Sequence, residues 1–150
     1  MKLVHYAAVA VLAVALAAGA YVGLGSAPTA PKVGYTLLDG TPADTGQFRG
    51  KVVLVNFWAT SCTTCVKEMP QIVATYDRYR ARGYDTLAVA MSYDPPAYVA
   101  NFVETRKLPF PVAIDNTGAI ARSFGDVQLT PTSVLINKRG EIVKRYVGEP

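Results

Sequence analysis

Lys51-Val52-Val53-Leu54-Val55-Asn56-Phe57-Trp58 is a nearly unbroken apolar run rich in β-branched residues. Such a run predicts a strand covered on both faces, at the centre of a sheet. From Thr63 the pattern changes period: Val66, Met69, Ile72, Val73 and Tyr76 recur at spacings of three and four. That spacing predicts a long helix to Arg82, with arginines toward its end, Gly83 as its stop and a kink at Pro70. A second buried strand is expected over Thr86 to Ser92, then a helix opened by Asp94-Pro95-Pro96 and running to about Arg106. A short strand at Val112 to Ile114 and a helical turn around Ala119 to Phe124 follow. Ser133 to Ile136 and Glu141 to Val147 flank Asn137-Lys138-Arg139-Gly140, whose residues suit a hairpin turn. The order β, α, β, α, β, α and then a hairpin predicts an α/β fold around a mixed central sheet flanked by helices, its last strands antiparallel.

The N-terminus obeys a different pattern. No Asp, Glu, Lys or Arg lies between Lys2 and Lys32, and Tyr6 to Gly25 is a charge-free Ala/Val/Leu run of 20 residues. A helix of that length just spans a hydrocarbon core of about 30 Å, which favours an anchor. A cleavable signal peptide, with Ala18-Gly19-Ala20 as its small-residue site, is the competing reading. Either places the rest of the chain outside the cytoplasm, in a bacterial-type periplasm or its equivalent. The expected organisation is therefore leader 1–25, extended spacer 26–32 and folded domain 33–150.

Composition removes several functions. The 150 residues carry 15 Lys+Arg against 11 Asp+Glu, a net charge of +4, with no dense basic stripe, so nucleic acid is not an expected partner. His5, the single histidine, lies in the leader. Triads that need histidine are thereby excluded, as are protein-only zinc or copper cages, and no cofactor is called for.

What remains is Cys62-Thr63-Thr64-Cys65, placed where the central strand gives way to the long helix. Cys62 should fall at the helix N-terminus, near unsatisfied backbone N–H groups that favour a thiolate. Cys65, one turn further in, should be less exposed. The arrangement suits attack by Cys62 on a disulfide and resolution by Cys65. A structural disulfide would close a very short loop and gain little. Inert thiols sit poorly with export to an oxidising compartment, and half a zinc site lacks its other ligands.

Asn56-Phe57-Trp58-Ala59-Thr60-Ser61-Cys62-Thr63-Thr64-Cys65-Val66-Lys67-Glu68-Met69-Pro70 resembles the active-site segment of the TlpA/ResA-like family of thioredoxin-fold proteins. Gly50 to Asn56, and Gly125 to Thr132 with the hairpin after it, extend the likeness from about Tyr35 to Gly148. The resemblance implies a membrane-tethered or exported thiol-disulfide oxidoreductase. Such proteins often act as reductants in cytochrome c maturation or on other extracytoplasmic thiols, which makes protein disulfides the expected substrates and a membrane-embedded thiol donor the expected source of electrons. It also implies that Pro131 is the cis-proline of the fold, presenting the Thr130 backbone to an extended substrate beside Cys62. Trp58 is expected to pack beside the active site and is grouped with Thr130 and Pro131 as substrate-binding.

Glu68 lies three residues beyond Cys65, on nearly the same helix face, within reach of a proton exchange with the resolving thiol. Thioredoxin itself has a buried aspartate where this chain has Asn56, an amide that cannot titrate. Glu68 is therefore expected to take over the acid-base task, its pKa raised by partial burial; a solvated helix carboxylate is the alternative. Two departures from the family pattern stand out. Ser61 replaces the usual second Trp before the first Cys. The chain ends at Pro150, where relatives continue into a final helix, so a sheet face is expected to be uncovered. Two other functions on similar residues are a peroxiredoxin-like peroxidase, which needs an activating Thr and a clamping Arg around one Cys, and a non-enzymatic thiol metallochaperone, for which two Cys without a nearby His are a poor ligand set.

Overall fold

The computed structural model describes residues 11–14 and 27–148. The predicted leader, 1–25, thus lies outside the described residues except for one helical turn. Among the described residues no helix is long and apolar enough to cross a membrane.

Strand β1 (Gly34–Thr36) pairs antiparallel with β2 (Pro42–Asp44) as a small separate hairpin. Three-residue strands are too short to impose a period on the sequence, which is why this hairpin was not expected. The main sheet has five strands in the order β5-β4-β3-β6-β7. They are β3 (Val52–Trp58), β4 (Tyr84–Ala90), β5 (Val112–Ile114), β6 (Thr132–Ile136) and β7 (Ile142–Val147). β3 lies at the centre, parallel to β4 and antiparallel to β6, with Asn56 opposite Ala88 on one side and Ser133 on the other. The mixed sheet expected from the element order is the sheet observed.

Helix α1 (Thr63–Tyr79) follows β3 and remains continuous through Pro70. It stops short of the expected Arg82: Arg80–Arg82 tighten into a 3-10 turn, and Gly83 takes a φ of 82°, a left-handed conformation that costs glycine little. Helix α2 (Pro96–Arg106) leads from β4 toward β5, and α3 (Ala119–Ser123) from β5 toward β6.

The period of two along β3 divides the core. Val53, Val55 and Phe57 join Leu87, Phe124 and Val134 on one face, where the Phe57 and Phe124 rings meet edge to face with centroids 5.6 Å apart. On the other face Trp58 joins Cys65, Met69, Ile72, Val99 and Phe110 beneath α1 and α2. That face also carries an open groove of about 470 Å³ lined by Val52, Leu54, Tyr79 and Leu135, among others.

Residues 27–31, part of the spacer expected over 26–32, are hydrogen-bonded to the domain. The Ala30 N–H donates to Gly140, the Ile142 N–H donates to Pro28, and the Thr45 hydroxyl donates to the Pro31 carbonyl. Unpaired backbone groups at the start of edge strand β7 explain the docking.

Candidate active site

The chain leaves β3 at Trp58 and turns through Ala59-Thr60-Ser61 into α1. The Cys62 N–H closes this turn on the Ala59 carbonyl at 3.1 Å, and the Cys62 carbonyl accepts the Val66 N–H at 3.0 Å. Cys62 is the N-cap of α1: its backbone is extended (φ −87°, ψ 102°) and its sulfur accepts the Cys65 N–H at 3.1 Å. That position usually belongs to a Ser, Thr, Asp or Asn oxygen, which satisfies one of the orphan donors of the first turn. Here sulfur fills it, and an anionic sulfur is the better acceptor at the positive end of a helix.

Cys62 and Cys65 form a disulfide, with Cα atoms 5.2 Å apart. Cys65 is fully buried and Cys62 only partly so. The asymmetry leaves one sulfur open to a partner molecule and keeps the other behind it.

Glu68 is on the next turn of α1 and only 7% exposed, which removes the solvated-carboxylate reading. Its Oε1 accepts from Asn56 Nδ2 at 3.1 Å, and the same amide nitrogen donates to Ser133 Oγ at 2.9 Å. Strand β3 thus links the helix carboxylate to β6. Ser133 had not been singled out; its signal was its place two residues beyond Pro131, on the strand that begins there.

The Thr130–Pro131 peptide bond is cis. Because Thr132 pairs with Phe57, the Thr130–Pro131 corner leaves the sheet at the same end as Ala59 to Cys62. Thr130 is partly exposed, and its Oγ1 lies 3.2 Å from the Tyr93 hydroxyl. Cys62, Cys65, Thr130 and Pro131 are thereby gathered at one end of the sheet, with Glu68 behind on α1. Trp58 is the exception among the expected substrate-binding residues. Its ring is 0% exposed, packed 5.0 Å from Phe102 and in the same buried cluster as Cys65. As the last residue of β3 it falls on the covered face of the pleat, so it supports the site from beneath and offers no surface to a substrate.

One further pair was missed. Asp94, read in the sequence only as the opening of a helix, is 2% exposed and accepts both the N–H and the hydroxyl of Thr60, at 2.6 and 2.5 Å. No local pattern could have joined residues 34 apart.

A thioredoxin-like sheet with a paired dithiol at the start of its first long helix defines a thiol-disulfide oxidoreductase. The comparisons agree on the class. The redoxin family model matches residues 25–150. The thiol-disulfide oxidoreductase ResA of Bacillus thuringiensis subsp. konkukian is 40% identical over 120 residues, covering 80% of this chain and 68% of the relative. The ResA of Halalkalibacterium halodurans is 36% identical over 111 residues, 74% of this chain and 62% of its own. Among solved structures, a thiol:disulfide interchange protein of the thioredoxin family from Chlorobium tepidum TLS superposes with a TM-score of 0.78 at 27% identity, covering 84% of this chain and 89% of that one. StoA from Bacillus subtilis gives 0.69 at 26% identity, over 81% and 90%. The chain belongs to the redoxin family, among its TlpA/ResA-like thiol-disulfide oxidoreductases.

Proposed function

We propose that this protein is an extracytoplasmic reductase of protein disulfides, with Cys62 as nucleophile and Cys65 as resolving thiol. The observation that carries the reading is the contrast between a partly exposed sulfur capping α1 and a wholly buried partner one turn behind it. In the reduced chain the Cys62 thiolate attacks one sulfur of the substrate disulfide. That S–S bond breaks, a mixed disulfide forms, and the released substrate thiolate takes a proton from solvent. Cys65 then gives its proton to the Glu68 carboxylate and attacks the Cys62 sulfur. The mixed disulfide breaks, and the second substrate thiol leaves with a proton. Two electrons have passed to the substrate, and the chain is left as the Cys62–Cys65 disulfide. Thr130 and Pro131 offer an extended substrate a backbone edge beside Cys62.

The charge-free run Tyr6 to Gly25 supports export and tethering, and with them a membrane-embedded thiol donor that reduces the disulfide again. Reduction during cytochrome c maturation, or of other periplasmic thiols, is the role this placement suits. Trapping tests the reading. Cys65→Ser should accumulate mixed disulfides with the substrate, and Cys62→Ser should abolish exchange. A Cys62→Ser chain that exchanges at the wild-type rate overturns the assignment, and an equilibrium potential near −120 mV, that of a strong oxidant, overturns the direction.

A further inference from the structure

The loop between β4 and α2 is bonded to both loops that flank Cys62. Asp94 reaches the turn before Cys62 through Thr60, and the neighbouring Tyr93 reaches Thr130 through its hydroxyl. Asp94 is the more constrained of the two. Its own N–H is held by the Met91 carbonyl at 2.9 Å, the Met91 N–H is held by the Trp58 carbonyl at 3.0 Å, and Pro95 and Pro96 restrict the backbone that follows. Both carboxylate oxygens of this buried side chain are spent on one residue, Thr60, in the middle of the turn that the Cys62 N–H closes on Ala59.

We propose that Asp94 is a positioning residue for Cys62: through Thr60 it fixes the Ala59–Cys62 turn, and so holds the sulfur at the cap of α1. The inference rests on the reading of Cys62 as the attacking thiol and adds to it the group that sets the geometry of attack. A thiolate gains from the first-turn N–H groups only while it stays in line with them, and the effect fades within a turn. With Thr60 released, the sulfur moves relative to those donors and its reactivity falls, although no group touching the substrate has been altered. Asp115 provides the matched comparison. It too is 2% exposed and spends both oxygens on two donors, the Ile120 and Ala121 N–H groups, but these belong to the first turn of α3 and not to the Cys62 turn.

The test uses the full reduced chain and glutathione disulfide, and reads the second-order rate of exchange together with the thermal midpoint. Thr60→Val, which loses the hydroxyl bond and keeps the carboxylate charge, should slow exchange about fivefold, the rate equivalent of one ordinary hydrogen bond. Asp94→Ala should slow it at least as much. Thr60→Ser should restore the wild-type rate, and Asp115→Asn should lower the thermal midpoint without slowing exchange. Exchange at the wild-type rate in Thr60→Val overturns the inference while leaving the dithiol reading intact, and it does so even if Asp94→Ala fails to fold. Equal slowing in Asp115→Asn and Thr60→Val also overturns it, because the effect would then be general destabilisation. A wild-type chain that does not exchange at all removes both.

Discussion

Asn56 and Glu68 meet across 3.1 Å, the amide of the central strand donating to the carboxylate of the helix that carries the dithiol. The amide keeps Glu68 folded against the sheet, on the helix face it shares with Cys65. Replacing Glu68 by Gln preserves an acceptor for Asn56 and removes only the capacity to take up a proton. The resolving step should therefore slow while the first attack by Cys62 is spared. The expected loss is about tenfold at neutral pH, below the roughly 10²–10⁴-fold usual for general acid-base catalysis because a thiol is already a fair acid. Rapid-quench measurement of mixed-disulfide decay across pH checks it, and a decay profile identical to wild type would end the role given to Glu68.

The same contact makes Asn56→Asp informative. A second carboxyl about 3 Å from the first cannot ionise together with it, so the pair holds a proton that it releases readily when unfolded. The folded pKa is raised above the unfolded one. Stability relative to wild type is then retained below the unfolded value of about 4 and lost as pH rises through the folded value. Urea midpoints should nearly coincide with wild type at pH 4 and fall behind at pH 8, and adding Glu68→Gln should close the gap. Parallel curves at both pH values would contradict a buried pair.

Tyr35 makes a prediction of similar form far from the dithiol. Burial, the dominant effect, pushes its phenol up from 10.0 to about 12; the hydrogen bond from Gln47 acts the other way, and the charges of Asp44 and Asp85 add to the rise. A phenol with a raised folded pKa contributes stability that is whole below pH 10 and disappears as pH climbs through about 12. Tyr84 is shifted in the same direction, again chiefly by burial. Denaturant titrations above pH 10 should show a steep fall in stability that Tyr35→Phe makes shallower. An unchanged slope in that variant would mean that the phenol titrates freely in the folded chain.

These contacts show which parts of the molecule could be read from one sequence. β3 and α1 were legible because each repeats its period over several residues, and Cys62 could be placed because it stands at their junction. Glu68 could be assigned to the Cys65 face from spacing alone, but its burial depends on Asn56 and Ser133, which the sheet brings up from two other elements. Asp94 and Thr60 lie 34 residues apart and make contact only because β3 and β4 end side by side at Trp58 and Ala90. The burial of Trp58 is hidden from the sequence for a related reason. Its neighbours in sequence place it near the dithiol, but the face it occupies is decided by the pleat and by Phe102 arriving from α2.

Trp58 provides the last prediction. It is the chain's single tryptophan and fully buried, and its Nε1 has no hydrogen-bond partner among the described residues. Replacement by Phe gives up ring volume and dispersion contacts but also removes an unsatisfied buried donor, and the second effect offsets part of the first. The loss should be about 1–2 kcal/mol, well below the 3–5 kcal/mol typical of a large aromatic cut to Ala. A ring that touches no substrate also has no direct part in binding, so Trp58→Phe should leave KM for a protein disulfide unchanged while the denaturation midpoint falls slightly. A several-fold rise in KM with unaltered stability would put the ring back at the substrate surface and contradict its place beneath Cys65.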